Sequence, residues 1–412
     1  MIISEKPKEG VAVTGLGLMT GLGLDLHSTW KGLIAGKCPV NRFSLFNPKN
    51  LATPFGVELP PEVDDLFQVT IKTRNRRQMT RGTMMAVYTA KMALEDAGIM
   101  DSIQDNARIG IVIGCTGTGY LPPNLETDPN RILKNMTSAP AAWISLKWKI
   151  KGPAYTVSTA CSSGAYAINS AISLIHSGQC DIVIAGAFDS IINYPDVEGF
   201  CSLLALSDDF EHMKTASRPF DKKRNGFVIG EGCGMLILEA LSFAKKRAAS
   251  VYATVSAPGL SSEGYNMFTP NPDGKGMARA MELALAHAGL GPGDVSYINA
   301  HGTSTQLNDL YETRAIKNVF GDHAYKIPIS STKSMTGHCL SGAAGIESVI
   351  ACKSLVENCI PPTMNRVDPD PDLDLDYVPM KPRYVTLKHV MSNSFAFGGH
   401  NGVCIFSKDD NG

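Results

Sequence analysis

A single cysteine lies between an apolar run and a helical pattern, and its setting suggests chemistry. Cys161 follows the β-branched stretch 156–159 and precedes apolar residues at helical spacing in 167–175. This pattern predicts a strand, a sharp turn and the start of a helix. Unpaired N–H groups and the positive end of a helix dipole would favour the thiolate, which is the nucleophilic form. A buried cysteine in a tight turn is the alternative, and this stretch alone does not separate the two interpretations.

Two of the nine histidines stand in comparable positions. His301 follows the apolar stretch 295–300, and His338 comes after the stretch 327–331, each among small and hydroxylated residues. Ligands and catalytic groups gather at the carboxyl ends of strands in open α/β sheets. A lone histidine is more often a core or surface residue. Three residues in three matching contexts nevertheless predict one shared site containing Cys161, His301 and His338.

The elements that must position these residues alternate between strands and helices. Strands are predicted at 11–18, 108–114, 181–187 and 234–238, and a helix at 84–97. After about residue 250 the alternation begins again, with strands at 251–256, 295–300 and 402–406 and helices at 276–288 and 343–357. Strands that are apolar on both faces indicate an α/β protein whose sheets are covered on both sides. The repeated pattern suggests an internal duplication, with one half at 1–250 and the other at 251–412.

The composition excludes several classes of function. A net charge of -1 over 412 residues argues against a general nucleic-acid binder. The ten cysteines are dispersed without a CxxC pair, which indicates reduced thiols and neither a disulfide framework nor a metal site. No signal peptide is evident, and no apolar run approaches 18 residues, so we expect a cytoplasmic protein without a membrane span.

Basic residues cluster just before the predicted helix at 84–97. They are Lys72, Arg74, Arg76, Arg77 and Arg81. Such a run is usually a solvated face, but on a nearly neutral protein it can also capture an acidic partner. The sequence leaves both interpretations open.

The chain resembles the β-ketoacyl-acyl carrier protein synthases in four ordered segments, at 158–164, 299–305, 333–338 and 393–402. The closest resemblance is to the elongating, Cys-His-His branch of the thiolase superfamily, and it extends from Val11 to Phe406. It implies the thiolase fold, a five-layer α-β-α-β-α arrangement built from two duplicated halves. The first half would carry the nucleophile and the second half the two histidines.

The resemblance also implies a reaction, a decarboxylative Claisen condensation that extends an acyl chain by two carbons. Cys161 would take the acyl group from acyl carrier protein as a thioester, and the backbone N–H groups of Cys161 and Phe397 would hold the oxyanion. His301 and His338 would donate hydrogen bonds to the thioester oxygen of malonyl-acyl carrier protein while it decarboxylates. The enzyme would bind no cofactor of its own, because the substrates are carried on the phosphopantetheine arm of acyl carrier protein.

Further roles follow from the same resemblance. Lys333 would orient or tune the site with Glu347 as its partner, and Thr303 and Thr305 would contact the phosphopantetheine arm. Phe397 would also act as a gate to the malonyl pocket. The remaining matched residues are Phe227 in a neighbouring pocket, Asp309 and Glu312, which would order the loop after His301, and Arg74, Arg76 and Arg77 at the docking face for acyl carrier protein. The protein would form a homodimer or a heterodimer with a ketosynthase-like chain-length factor.

Several departures from the family pattern affect the acyl tunnel and the docking face. The region 119–154 is shorter than in housekeeping elongation enzymes, Leu204 replaces a basic residue, and 263–268 replaces a loop that usually carries Asp, His and Thr. The usual glycine run after the second histidine is shifted within 337–345. These departures favour a specialised type II polyketide or aryl polyene system over housekeeping fatty-acid elongation.

Three other classes remain as alternatives. A non-catalytic chain-length-factor subunit usually lacks the cysteine that this chain has at position 161. A thiolase would use coenzyme A substrates and a second cysteine near the C-terminus, and 395–400 contains none. An initiating synthase of the Cys-His-Asn kind is disfavoured by His338.

Overall fold

A computed structural model of the protein describes residues 10–103, 106–117 and 128–409. The segment 119–154, which the sequence marks as short, lies partly outside the described residues. The strands are β1 (Val11–Thr20), β2 (Asn41–Arg42), β3 (Phe55–Gly56), β4 (Ile109–Gly114), β5 (Ala154–Val157), β6 (Ile182–Asp189), β7 (Gly232–Ala240), β8 (Ala253–Val255), β9 (Gly259–Ser262), β10 (Tyr297–Asn299), β11 (Ile329–Ser330), β12 (Cys359–Ile360), β13 (Arg383–Tyr384), β14 (His389–Ala396) and β15 (His400–Ser407).

Helices alternate with these strands, as the sequence pattern predicts. They are α1 (Leu26–Ile34), α2 (Val63–Thr70), α3 (Thr73–Arg76), α4 (Arg81–Asp96), α5 (Arg131–Asn135), α6 (Ala139–Trp148), α7 (Ser163–His176), α8 (Tyr194–Ser202), α9 (Leu241–Lys246), α10 (Lys275–Ala288), α11 (Gln306–Phe320), α12 (Lys333–Thr336) and α13 (Ala343–Glu357). Local chemistry sets their ends. Thr80 caps α4 by accepting a hydrogen bond from the N–H of Thr83, and Gly289 ends α10 with φ 67°.

The main sheet contains the same strand order twice. In the first half β1 pairs with β7 and β7 with β6, both antiparallel, and β6, β4 and β5 follow in parallel. In the second half β8 pairs with β15 and β15 with β14, both antiparallel, and β14, β10 and β11 follow in parallel. The first strands of the two halves, β1 and β8, pair antiparallel with Val11 opposite Val255. This repeat confirms the predicted duplication.

The helices and sheet halves form five layers. Residues of α7 and α13 share one core cluster with strands of both halves: Ile168, Ile172, Val349, Ile350, Leu236, Val183, Val390 and Phe406. Helices α4 and α6 cover the outer face of the first half, and α10 and α11 cover that of the second. The α-β-α-β-α arrangement of the thiolase fold is therefore confirmed.

The two central helices approach closely near their first turns, where only glycine fits. A Cβ on Gly164 of α7 would lie 2.7 Å from the backbone N of Gly345 in α13. A Cβ on Gly345 would lie 2.6 Å from the backbone N of Ala187. Contacts below 3.0 Å force a backbone shift, so these glycines set the spacing of the elements that carry Cys161 and His338.

In the part of the chain that the structure describes, every helix is too short or too polar to cross a bilayer.

Candidate active site

Cys161 lies in the turn that joins β5 to α7, as the sequence predicts. Ala160 adopts the left-handed conformation with φ 48°, which turns the chain sharply before the helix. The hydroxyl of Ser163 donates to the carbonyl of Ala160 at 2.6 Å and accepts from the N–H of Thr159 at 2.9 Å. The turn is thereby held from both sides, and Cys161 is 5% exposed.

Burial determines the protonation of Cys161. It raises the pKa of the thiol to about 12, although the charge of Lys333 lowers it. Nearby charges and donors favour the thiolate, as expected, but the loss of solvation outweighs them. A pKa of about 12 leaves the thiol neutral at pH 7.

His301 follows β10 and is held through its backbone by a buried carboxylate. Glu312 of α11 accepts hydrogen bonds from the N–H groups of His301 and Gly302, both at 2.8 Å. Glu312 also accepts from Nδ2 of Asn393 on β14 at 3.0 Å. The predicted position of Glu312 beside this loop agrees with the structure.

Asp309, one turn earlier in α11, fixes the rest of the same loop. Its carboxylate accepts from the N–H of Phe220 at 2.8 Å and from that of Ser304 at 3.3 Å. The side chain is fully buried, so these donors compensate for its lost hydration. The loop after His301 thus rests on two acidic residues of one helix.

His338 lies beyond β11 and α12, and its backbone is bound to the segment 228–230. Its N–H donates to the carbonyl of Val228 at 2.7 Å, and its carbonyl accepts from Gly230 at 3.0 Å. The His338 ring is perpendicular to that of His301, with centroids 5.3 Å apart. The ring of Phe227 packs edge-on against His338 at 5.1 Å, which places Phe227 at the site.

Both imidazoles are neutral at pH 7. Burial lowers the pKa of His301 and His338 well below 6.5, and the charge of Lys333 lowers it further. The Nδ1 atoms of both rings are buried, and neither has a hydrogen-bond partner among the described residues. The site therefore contains two neutral imidazoles that can each donate one N–H group.

Lys333 is a fully buried cation beside these groups. Its ammonium forms an ion pair with Glu347 of α13, and the two side chains are only 1% and 2% exposed. Burial raises the pKa of Glu347, against the lowering effect of Lys333. The pairing that the sequence predicts for Lys333 and Glu347 is present.

One cavity of about 340 Å³ joins the predicted residues. Its walls include Cys161, His301, His338, Thr303, Thr305, Phe227 and Phe397. The hydroxyls of Thr303 and Thr305 lie 2.9 Å apart on this wall. The structure therefore brings the cysteine and both histidines to a single space.

A second cavity of about 470 Å³ meets the first at Cys161 and Phe397. Phe397 begins the turn Phe397–Gly399, in which Gly398 and Gly399 have φ values of 77° and 72°. The ring of Phe268 packs against that of Phe397 with centroids 4.9 Å apart. Phe397 thus lies between the two cavities.

The basic cluster is smaller than the sequence suggests. Arg74 and Arg77 are exposed, and Arg76 is half-buried with Nη2 donating to Thr73 at 3.2 Å. Arg81 does not belong to this surface. It is bound by the buried carboxylate of Glu231 at 2.8 Å and by Asp64 at 3.1 Å.

One buried carboxylate near the cysteine was not found from the sequence. Asp189 ends β6, is fully buried, and its Oδ2 accepts hydrogen bonds from Thr116 at 2.9 Å and from Ser341 at 2.6 Å. Burial raises its pKa to about 6. The strand-exit rule that selected the histidines could have found Asp189, because it too comes at the end of a buried strand.

The fold and this site together define a class of protein, a thiolase-fold acyltransferase with a cysteine and two histidines on one cavity wall. Comparison with known families identifies the member of that class. Residues 8–244 match the model of the beta-ketoacyl synthase N-terminal domain, and residues 252–366 match that of its C-terminal domain. The chain belongs to the β-ketoacyl synthase family, and its activity is that of a β-ketoacyl-acyl carrier protein synthase.

Full-length relatives and solved structures support this assignment. The chain is 40% identical to 3-oxoacyl-acyl-carrier-protein synthase 2 of Synechocystis over 97% of this chain and 98% of the relative, and 38% identical to that of Coxiella burnetii over 97% and 99%. It is also similar to the ishigamide ketosynthase/chain length factor, with a TM-score of 0.89, 29% identity and coverage of 98% and 100%. A type II polyketide ketosynthase solved with its acyl-carrier protein and bound to a hexaketide is similar as well. The TM-score is 0.88 and the sequence identity 31%, over 98% of this chain and 100% of that one.

Proposed function

We propose that Cys161, His301 and His338 carry out the two halves of a decarboxylative condensation. The observation that carries this proposal is the single cavity whose wall contains all three side chains. A nucleophile and two hydrogen-bond donors that face one space can act on one substrate thioester.

In the first half, the Cys161 sulfur attacks the thioester carbonyl of an acyl group that arrives on phosphopantetheine. The new C–S bond forms, the bond to the pantetheine sulfur breaks, and the Cys161 proton ends on the departing thiol. The N–H groups of Cys161 and Phe397 hold the oxyanion that develops between these events. Because burial keeps Cys161 neutral at rest, the proton must move during the attack.

In the second half, malonyl on its carrier takes the place of the departed arm. His301 and His338 donate their N–H groups to the malonyl thioester oxygen, where negative charge develops as CO₂ leaves. The enolate carbon attacks the acyl carbonyl, the bond to the Cys161 sulfur breaks, and the released thiolate takes one proton from solvent water. Neutral imidazoles suit this step because they donate hydrogen bonds without supplying a proton that would quench the carbanion.

Buried and wall residues complete the proposed site. The Lys333 ammonium, held by Glu347, gives the cavity a fixed positive charge close to the developing anions. Thr303 and Thr305, on the cavity wall, contact the phosphopantetheine arm. No cofactor is bound by the enzyme itself, since the arm belongs to the carrier.

The carrier protein is the proposed partner, and Arg74, Arg76 and Arg77 are its proposed docking residues. Acyl carrier proteins are acidic, and exposed guanidinium groups speed the encounter with an acidic surface. The solved complex of a similar ketosynthase with its acyl-carrier protein supports this partner.

The pathway that we propose is a specialised type II polyketide or aryl polyene system. The supporting observation is the mouth of the first cavity. Leu204, in place of a basic residue, is 87% exposed there, and the loop residues Glu263 and Phe268 also line it. Housekeeping fatty-acid elongation is the second candidate, because the identity to 3-oxoacyl-acyl-carrier-protein synthase 2 proteins exceeds that to the polyketide ketosynthases named above.

Purification with the products of neighbouring genes, followed by mass spectrometry of the intact complex, distinguishes the two candidates. A stable heterodimer with a ketosynthase-like partner is the expected result for the specialised system. A homodimer that elongates saturated acyl carriers through several cycles would contradict it and support fatty-acid elongation.

A further inference from the structure

The lining of the second cavity indicates which acyl chain the enzyme accepts, and this inference rests on the proposed function. It meets the first cavity at Cys161 and Phe397, and its described lining includes neither His301 nor His338. Malonyl must lie beside the histidines, so the acyl chain of the Cys161 thioester is left to extend into the second cavity. The chemistry of this cavity wall therefore selects the acyl chain.

The wall combines apolar and polar side chains. Its apolar part consists of Ile191, Phe200, Leu340 and Phe397, and its polar part of Thr116, Asn135, Thr137 and Asp196. A saturated chain gains binding free energy by covering the apolar part. It also displaces water from the polar part and leaves those polar groups without hydrogen-bond partners. A chain that carries oxygen can satisfy both parts.

The orientation of the Thr116 hydroxyl indicates which kind of oxygen fits. Thr116 Oγ1 lies 2.9 Å from Oδ2 of Asp189, the fully buried carboxylate at the end of β6. An ionised carboxylate only accepts hydrogen bonds, so the single hydroxyl proton of Thr116 points to Asp189. The Thr116 oxygen then offers only lone pairs to the cavity.

Two contacts from Ser341 hold Asp189 in this arrangement. The Ser341 hydroxyl donates to Oδ2 of Asp189 at 2.6 Å, and its backbone N–H donates to the same oxygen at 3.2 Å. The backbone N–H of Thr116 donates to the Ser341 hydroxyl at 3.2 Å. This cluster fixes the position of Thr116 as well as the direction of its proton.

Asp196, a carboxylate in the described lining of this cavity, is also an acceptor. The Asp196 carboxylate is bound on Oδ2 by Nδ2 of Asn193 at 2.5 Å and has further lone pairs. The acceptors of Thr116 and Asp196 pair with O–H groups and not with bare carbonyls, and the oxygen of such an O–H group can also accept from the donors of Asn135 and Thr137 on the same wall. We propose that the second cavity accepts an acyl chain bearing hydroxyl or enol groups, with Thr116 accepting a hydrogen bond from one of them.

The test uses pantetheine thioesters of equal length and the full-length protein. Hexanoyl-pantetheine is compared with its 3-hydroxy and 5-hydroxy analogues, and the rate of acylation of Cys161 is followed by intact-protein mass spectrometry. We expect at least one hydroxylated thioester to acylate Cys161 on the order of tenfold faster than hexanoyl, as one well-placed hydrogen bond would give.

Variants at Thr116 assign this preference to the hydroxyl. Thr116→Val keeps the shape and is expected to bring the rate ratio to about one while hexanoyl still reacts, and Thr116→Ser is expected to retain the wild-type ratio. Thr254→Val, a change in β8 outside the cavity lining, is the matched control and should leave the ratio unchanged.

Two results would overturn the inference alone. The first is that hexanoyl-pantetheine acylates the wild-type protein at least as fast as both hydroxylated thioesters do. This result would refute the hydroxyl preference whether or not the variants fold. The other is a hydroxyl preference that survives in Thr116→Val. If no thioester acylates Cys161 at all, the proposed function fails and the inference fails with it.

Discussion

Burial sets the charge of each group that we propose to react in the cavity. It keeps the Cys161 thiol and both imidazoles neutral, and it encloses one cation, Lys333, with its partner Glu347. The proposed mechanism uses this arrangement, because the negative charge that develops in each half-reaction meets neutral donors and one fixed positive charge. The thiol is thus more strongly affected by its apolar surroundings than by its position at a helix start.

This protonation state predicts how Cys161 reacts with an alkylating agent. With a pKa of about 12, the thiolate fraction and hence the rate of iodoacetamide labelling should rise about tenfold per pH unit between pH 7 and 9. Peptide mass spectrometry can assign the label to Cys161. The same cysteine in unfolded protein is the control, and its rate should level off above its ordinary pKa. A plateau near neutral pH in the folded protein would show that the thiol is a stable thiolate instead.

The three predicted site residues lie on the wall of one cavity, although the strands that precede them are not all equivalent in the two halves. Cys161 follows β5, the third strand of the first half in chain order, and His301 follows β10, the second strand of the other half. The strand-exit pattern in the sequence selected these residues, whereas their meeting also depends on the packing of the two antiparallel halves. Cys161 and His338 also precede the two central helices, α7 and α13, which cross next to the site.

The close packing of α13 against β6 and β7 gives a prediction about stability. Gly345→Ala places a Cβ within 2.7 Å of backbone atoms of Ala187 and Gly234, neither of which can rotate away. We expect a loss of about 1–3 kcal/mol or more in the free energy of unfolding, measured by urea denaturation. Gly199→Ala in α8 is the matched control, because its new methyl group meets no atom within 4 Å. Equal stability of the two variants would contradict the close packing of α13 against β6 and β7.

Periodic apolar segments were predictable from the sequence, whereas elements with buried polar groups were not. The helix predicted at 343–357 has those bounds, and the one predicted at 276–288 is α10, Lys275–Ala288. Helix α11 was not predicted, because Asp309 and Glu312 on its buried side interrupt the apolar pattern. These two carboxylates accept hydrogen bonds from backbone N–H groups that lie close to them only in the folded protein.

The inclusion of Arg81 in the basic cluster has a similar explanation. Arg81 lies next to the other arginines in sequence, but its partner Glu231 is 150 residues away. Local charge patterns cannot reveal such a pairing. The division at 1–250 and 251–412 and the cytoplasmic location stay predictions.

The molecule as a whole is nearly neutral, so its attraction to an acidic carrier depends on local surfaces. Of the predicted docking residues, Arg74 and Arg77 are the exposed ones. Replacing both with glutamate should raise the KM for carrier-bound substrate by about tenfold at low salt and leave the rate with acyl-pantetheine unchanged. The matched control is Lys245→Glu with Lys246→Glu on α9, where β7 ends away from the site. An unchanged KM for the carrier would argue against docking at Arg74 and Arg77.

The central claim is that Cys161 holds the acyl chain while the histidines act on malonyl. Its most direct test is the Cys161→Ala variant, incubated separately with labelled acyl-acyl carrier protein and with malonyl-acyl carrier protein. We predict no acyl label on the variant and no condensation product, but continued release of CO₂ from malonyl, because His301 and His338 remain in place. Transfer of the acyl label onto Cys161→Ala would contradict the assignment of the nucleophile.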